Sequence, residues 1–438
     1  MIVLSGASLV LPDRVLSPGT LVIEEGRIAE IRSDAPSGNH PAFAFHGHYI
    51  VPGFIDVHVH GVDGVDTLDA DPGAVAAIAA RLPCYGVTAF CPTIVACGPA
   101  ALRGVLDQVR RARETPVLRS ARVLPAHLES NFISPEYNGA QPSACLRSPR
   151  GILRAGRAGQ AGRAEDDQTA ADDERGANVS AEHSDFTAAD ILAEIERATP
   201  DVGIVTLASE LDGGLDLVRW LSARGHHVSL GHSGATYEEA LAAISAGARQ
   251  ATHLFNRMPR LDHRAPGLVG AVLQSDEIAA EIICDGAHVH PALIRTAIAA
   301  KRPSRILAIT DGTAAAGLPI GSRAMLGGQP ITAGARTAHL SDGTVAGSIL
   351  TMDKAFQTLV AEVGLSVVDA ATICSTSPVR ELGLLGHGML MPEAIADLVV
   401  LDAQFSVVQT YVGGQLVYAR GSGANTPARP APPARMLD

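Results

Sequence analysis

Hydrophobic and polar positions change their period repeatedly along the 438-residue chain, and each change marks an element. The first fifty residues read as short strands with turns: MIVLSGASLVL, then TLVIEEGRIAEI, in which Glu25-Gly26 has the composition of a hairpin tip. The same texture returns near the far end, in ADLVVLD (396–402), FSVVQTYV (405–412) and GQLVYARG (414–421). Strands at the two ends are expected to pair into one small β domain. Between them, apolar runs alternate with helical stretches: FIDVHVH before DPGAVAAIAARLPCYG, TAFCPTIV before PAALRGVLDQVRRARE, DVGIVTLASE before GGLDLVRWLSARG, HVSLGHSG before TYEEALAAISAG, and IAAEIICDG before HPALIRTAIAAK. RVLPAHLE, ATHLFN and ILAITDG add further strands. Repeated β/α units build a parallel sheet, and about eight of them over this length favour a closed barrel. The expected architecture is α/β: a (β/α)8 TIM-like barrel over 52–390, with a small β-sandwich domain formed by 1–51 and 391–421.

Two stretches escape this pattern. Residues 147–185 lack hydrophobic periodicity and carry a basic half followed by an acidic half, which reads as a mobile surface insertion after a strand that should reach the active site. The Pro- and Ala-rich tail, 422–438, reads as unstructured.

Composition narrows the function. Apolar residues make up 47% and charged residues 18%, which excludes overall disorder and suits a tightly packed enzyme. A net charge of −12 argues against a nucleic-acid partner, and it means that any anionic ligand must be met by a local device. The six cysteines (84, 91, 97, 145, 284, 374) form no C-x-x-C pair and fit reduced thiols in a cytoplasmic protein. No signal peptide and no run of eighteen apolar residues is seen, so no membrane partner is expected.

The chemistry begins with FIDVHVHG (54–61). A strand sends residues i and i+2 to one face, so His58 and His60 share a direction while Val57 and Val59 point to the other. By itself the pair fits two hydrogen-bonded strand histidines as well as a metal. Barrel chemistry belongs at the C-terminal ends of the strands, and the polar residues collect there: His127 and Glu129 end RVLPAHLE, His232 follows HVSLG, His253 follows QAT, and Asp311 follows ILAIT. Imidazole and carboxylate suit a borderline divalent ion, Zn²⁺ first, with Fe, Mn or Co as alternatives. Glu129, His232 and His253 make a three-ligand site that leaves a position open for water, and such an ion brings the pKa of that water close to neutrality. Asp311 supplies a carboxylate to take the proton and return it to a leaving nitrogen.

The order P-G-F-I-D-V-H-x-H, H-L-E, G-H-S, T-H-L-x-N and T-D resembles the amidohydrolase superfamily. The longer segments HLESNFISPEYNGAQ (127–141), VSLGHSGATYEEA (228–240), ATHLFNRMPRLDHRAPGLVGA (251–271), CDGAHVHP (284–291), TDGTAAAG (310–317) and GSILTMDKAF (347–356) narrow the resemblance to the N-acetylglucosamine-6-phosphate deacetylase family. It covers nearly the whole chain except 147–185 and the tail, and its specificity lies in the combination and order of the segments. It implies a (β/α)8 barrel flanked by a β-sandwich built from both chain ends. It implies Glu129, His232 and His253 as ligands of the principal metal, Asp311 as the catalytic acid/base, and His58 and His60 as holders of a second ion with Glu129 bridging. Some members lose the H-x-H pair and use one ion, so one or two ions per subunit are expected, with this chain equipped for two.

The substrate implied is an amino-sugar 6-phosphate bearing an acetamido group, hydrolysed to acetate and glucosamine 6-phosphate. Arg264 matches an arginine that reaches the phosphate in the neighbouring subunit's site, which implies a homodimer. Asn256 lines the pocket and His288 matches a residue contacting substrate, whereas His263 and His290 read as structural. The chain departs from the family at two places. Ser130-Asn131 stand where many relatives have Gly-Pro, and Gln141 stands where some have a histidine bonded to the acetamide oxygen; an amide can donate there but cannot carry charge. Another N-acetylhexosamine phosphate, a cyclic amide, or a non-catalytic scaffold remain as alternative readings.

Overall fold

The computed structural model describes residues 1–33, 42–150 and 186–421. The 147–185 insertion from residue 151 onward, and the 422–438 tail, lie outside the described residues.

Both chain ends join one eight-stranded sheet in the order Gln415–Ala419, Val407–Val412, Leu398–Leu401, Tyr49–Pro52, Ile2–Val10, Val15–Glu24 and Arg27–Arg32, with Ala42–Ala44 also beside Ile2–Val10. The seam between the ends is antiparallel, Val399 opposite Val51 and Val400 opposite Ile50. The hairpin tip falls at Glu25-Gly26, with φ of 49° and 79°, the paired left-handed conformation that matches the twist of two adjoining strands. Leu4, Leu21, Ile28, Ile50 and Leu398 are fully buried in this unit's own core.

Eight parallel strands form a nearly closed barrel: Phe54–Val59, Val87–Ile94, Ala126–Glu129, Val202–Leu207, His227–Leu230, Gln250–Ala251, Ala279–Ile283 and Ile306–Ile309. Each is paired to the next in register, and the first and last meet beyond their ends, where Asp311 N–H donates to His58 O at 2.9 Å and His60 N–H to Gly312 O at 2.8 Å. Every residue of Val87–Ile94 is buried because helices cover one face and the barrel interior fills the other, which is why these strands read as unbroken apolar runs. In the covering helix Pro99–Glu114, Leu102, Val105, Leu106 and Val109 are buried at helical spacing. Helix Tyr237–Ala246 starts at a capping box, Thr236 with Glu239. No helix among the described residues is long and apolar enough to cross a membrane.

One unit goes beyond the sequence reading. Arg323–Leu326, Gln329–Ala333, Thr337–His339 and Val345–Ser348 form an antiparallel sheet inserted after the eighth barrel strand. It has a small core of Val95, Leu326, Ile331, Ala338 and Ala346, and it hangs on the barrel through Ser348 N–H, which donates to Asp311 O at 2.8 Å. This sheet walls one side of the barrel mouth.

Candidate metal centre and active site

The strand ends carry the polar ring. His58 lies within the first strand and His60 just past it; Glu129 closes the third strand; His232, His253 and Asp311 each follow the end of the fifth, sixth and eighth. These last three have φ of 47°, 31° and 48°, left-handed values uncommon away from glycine. The chain therefore leaves each of these strands through a sharp local turn, the kind of backbone that concentrates at functional sites.

Two ligand sets meet at Glu129. In the first, Glu129 Oε1 lies 2.8 Å from His232 Nε2 and 2.9 Å from His253 Nε2, with the two nitrogens 3.1 Å apart. In the second, His58 Nε2 and His60 Nε2 are 3.3 Å apart and stand 3.4 and 3.2 Å from Asp311 Oδ1. Glu129 Oε2 reaches to 3.5 Å from His60 Nε2, so one carboxylate faces both groups. All six side chains are buried.

Tautomers show what this ring suits. His232 Nδ1 sits 2.7 Å from Tyr137 O, a carbonyl that can only accept, so Nδ1 carries a proton and Nε2 turns toward Glu129. An electron pair aimed at a carboxylate oxygen and at a second imidazole is repulsive unless a proton or a cation lies between them. His58 repeats the arrangement, with Nδ1 2.9 Å from Glu281 Oε2 and Nε2 facing the ring. Burial presses the His58 imidazolium down, yet the charges of Glu281, Asp311 and Glu129 carry its pKa up to about 10. Burial likewise opposes ionisation of Glu129, but His232 and its neighbours hold that carboxyl well below the usual range. The centre thus calls for positive charge at both positions, and its donors fit divalent cations at Glu129/His232/His253 and at His58/His60/Asp311.

A cavity of about 560 Å³ opens onto this ring. Its lining includes His60, Glu129, Gln141, His232, His253, Asn256, His288 and Asp311, with Leu326, Thr337, Val345 and Gly347 from the antiparallel sheet. Burial lowers the basicity of His288, but Asp285, 2.6 Å from its Nδ1, with the Asp311 charge, raises the pKa above the ordinary histidine value.

The sequence as a whole matches the amidohydrolase family over residues 49–417. It is 37% identical to the N-acetylglucosamine-6-phosphate deacetylase of Rattus norvegicus over 95% of this chain and 94% of that one, and 31% identical to the Bacillus subtilis (strain 168) protein of the same name over 94% and 96%. A solved structure of a Mycobacterium smegmatis N-acetyl-D-glucosamine-6-phosphate deacetylase variant, in complex with N-acetyl-D-glucosamine-6-phosphate, superposes with a TM-score of 0.80 at 28% identity, covering 95% of this chain and 99% of that one. The chain belongs to the amidohydrolase family, on its N-acetylglucosamine-6-phosphate deacetylase branch.

In this amidohydrolase the structure brings Glu129, His232, His253, His58, His60 and Asp311 to one place and puts Asn256, His288 and Gln141 on the cavity wall. Gln141 is held differently from the sequence expectation. Its Nε2 donates to Glu129 Oε2 and its Oε1 accepts from Ala96 N–H at 2.8 Å, so its amide braces the Glu129 carboxylate. Arg264 is exposed, on a loop where its N–H donates to Asp262, and does not line the cavity of its own chain. His127 is buried between Val57 O at 2.9 Å and Thr206 Oγ1 at 2.7 Å, beneath the ring. The altered turn at Ser130-Asn131 is pinned by Ser130 Oγ donating to Thr206 O and by Asn131 Nδ2 donating to Cys97 O and Cys145 O at 2.9 and 2.7 Å. Sequence reasoning missed Glu281, whose fully buried carboxylate takes bonds from His58, Gln250 Nε2 and His253 N–H. A signal was there: a glutamate in the middle of AAEII, an otherwise apolar strand.

Proposed function

We propose that this chain removes the acetyl group of N-acetylglucosamine 6-phosphate by metal-dependent amide hydrolysis, releasing acetate and glucosamine 6-phosphate. The observation that carries the reading is the pair of candidate ligand sets, Glu129/His232/His253 and His58/His60/Asp311, with Glu129 also 3.5 Å from His60, at the floor of a cavity sized for one sugar phosphate. Glu129, His232 and His253 would hold the principal ion, Zn²⁺ by donor type, and His58 and His60 a second. Bound there, a divalent ion acidifies water and polarises a carbonyl. Asp311 does the proton work: burial pushes its pKa up, but the His60 and His58 imidazoles hold it below the usual carboxylate value, so it stands ionised to accept the nucleophile's proton and pass it to the departing nitrogen. Gln141 keeps Glu129 aimed, while Asn256 and His288 hold the sugar and its phosphate. Leu326 and Val345 add apolar surface to the cavity lining.

Free cysteines throughout the described residues support a cytoplasmic enzyme, and Arg264, exposed and outside its own cavity, supports a homodimer in which it completes the neighbouring site. The primary test is acetate release from N-acetylglucosamine 6-phosphate, its galactose epimer and the dephosphorylated sugar, before and after chelation. Preference for the first substrate, lost on chelation and restored by metal, is expected; no acetate from any 6-phosphosugar by metal-replete protein overturns the reading. Mixing an Arg264→Ala form with an Asp311→Asn form should restore activity through hybrid dimers, and a light-scattering mass of one chain would remove the dimer.

A further inference from the structure

A sugar 6-phosphate brings about two negative charges into a cavity whose wall already carries Glu129, Glu136 and Asp311. Among the described residues that line this cavity, Arg257 is the one lysine or arginine. It was not singled out by the sequence pattern, and three features of its surroundings point the same way.

First, its guanidinium is uncommitted. It is exposed at the cavity wall, no ion pair joins it to a carboxylate among the described residues, and its one side-chain bond is a 3.5 Å contact from Nη2 to Val345 O, at the limit of a hydrogen bond. Other arginines show what a committed guanidinium looks like here, as Arg103 paired with Glu194 and Arg110 with Asp201. Second, the backbone is bent to place it. Phe255 and Arg257 have φ of 79° and 52°, so the loop turns twice within four residues of the ligand His253. Third, the facing loop leaves room. Gly139 has φ of 63°, and a Cβ there would lie 2.6 Å from Arg257 Nε and 3.0 Å from Cζ. The side chain therefore passes between Gly139 and Val345, along the rim of the cavity. Its charge is felt at His288, whose pKa it pulls down against the opposing effect of Asp285.

We propose that Arg257 is a phosphate-recognition residue that the chain supplies to its own cavity, acting with His288. This rests on the phosphosugar reading above. The alternative role, a brace between the loop at Gly139 and the sheet at Val345, would affect every ligand equally.

The test separates these. Binding of glucose 6-phosphate and of glucose, neither of which has an acetamide to cleave, is measured by calorimetry on metal-replete wild type, Arg257→Met and Arg257→Lys. Loss of a charge-assisted contact should weaken glucose 6-phosphate by roughly 10- to 100-fold in Arg257→Met, with a smaller loss in Arg257→Lys. The ratio of kcat/KM for the phosphorylated over the unphosphorylated N-acetyl sugar should fall in parallel. Equal affinity for glucose 6-phosphate in wild type and Arg257→Met, or an equal loss on both sugars, overturns the proposal. Should Arg257→Met not fold, the Arg257→Lys pair of measurements decides by the same criteria. A wild type that binds glucose 6-phosphate through Arg257 but releases no acetate would defeat the deacetylase reading alone; a working deacetylase indifferent to Arg257→Met would defeat this inference alone.

Discussion

Glu281 offers the sharpest test of how the centre is assembled. Its two oxygens meet three donors: His58 Nδ1 at 2.9 Å and His253 N–H at 3.3 Å on Oε2, and Gln250 Nε2 on Oε1. Glu281→Gln keeps the volume and removes the charge. The new amide can keep its oxygen toward His58 and turn its NH₂ to Gln250, whose own Oε1 is buried with no partner and can rotate to accept. The fold should therefore survive. What changes is the acceptor behind His58, from a carboxylate to a neutral carbonyl. A bond to a charged group contributes about 1.5–3 kcal/mol and a neutral one about 0.5–1.5 kcal/mol, so the expected loss is about 1–1.5 kcal/mol. That corresponds to roughly a tenfold drop in affinity of the His58/His60 position for a divalent ion, with up to about a hundredfold known for such supporting groups. Metal titration of the apo protein, followed by elemental analysis after gel filtration at limiting metal, should show one ion weakened and the Glu129/His232/His253 ion retained. A folded Glu281→Gln protein that holds both ions with wild-type affinity would refute this account of His58.

Asp311→Asn should keep the Glu129/His232/His253 ion and lose about 10²–10⁴ in kcat, read from acetate release by metal-replete protein; normal turnover removes Asp311 from proton transfer. Gly347 has φ of 63° and a Cβ there would stand 2.8 Å from Asp311 O, so Gly347→Ala should cost about 1–3 kcal/mol and depress kcat, measured by denaturant melts and kinetics; a wild-type melt would show that the sheet yields freely. Asp397 joins the terminal sheet to the barrel through Arg122 at 3.2 Å and His387 at 2.8 Å; burial opposes its ionisation, but these partners hold its pKa below the ordinary 3.8. A depressed carboxylate adds stability that is present above the ordinary value and disappears as pH falls through the folded one. Because Arg122 is partly exposed, Asp397→Asn should cost only about 2 kcal/mol at neutral pH, and its Tm gap from wild type should close as pH drops below 3.8; a gap constant down to pH ~2 would contradict the pairing.

Legibility from sequence followed burial. Val87–Ile94 and Ile306–Ile309 could be read because both faces are covered and the residues are mostly apolar, and the Glu25-Gly26 tip because Gly26 takes one of the turn's two left-handed positions between strand-like runs. The candidate ligands stood out because several His, Glu and Asp side chains fall together at barrel strand ends, although one of that set, His127, is held by Val57 O and Thr206 instead. The sheet of Arg323–Ser348 did not stand out: its strands are short and half-exposed, and in Arg323–Leu326 the exposed position 325 carries a methionine, so polar and apolar residues do not alternate.

What stayed hidden is the set of contacts that hold those ligands in place, since each depends on chain segments meeting at long range. His58 finds Glu281 across 223 residues, and Ser130 finds Thr206 across 76. The turn after Glu129 illustrates the consequence. Read linearly, Ser130-Asn131 in place of Gly-Pro looks like a loss of rigidity beside a ligand. In the folded chain Ser130 Oγ and Asn131 Nδ2 reach three carbonyls on separate segments, at Thr206, Cys97 and Cys145, so side-chain bonds replace the stiffness that a proline would have given the backbone. The altered turn should therefore tolerate Asn131→Asp poorly, because an acceptor-only side chain would face two carbonyl oxygens, whereas the same change on an exposed loop would cost little.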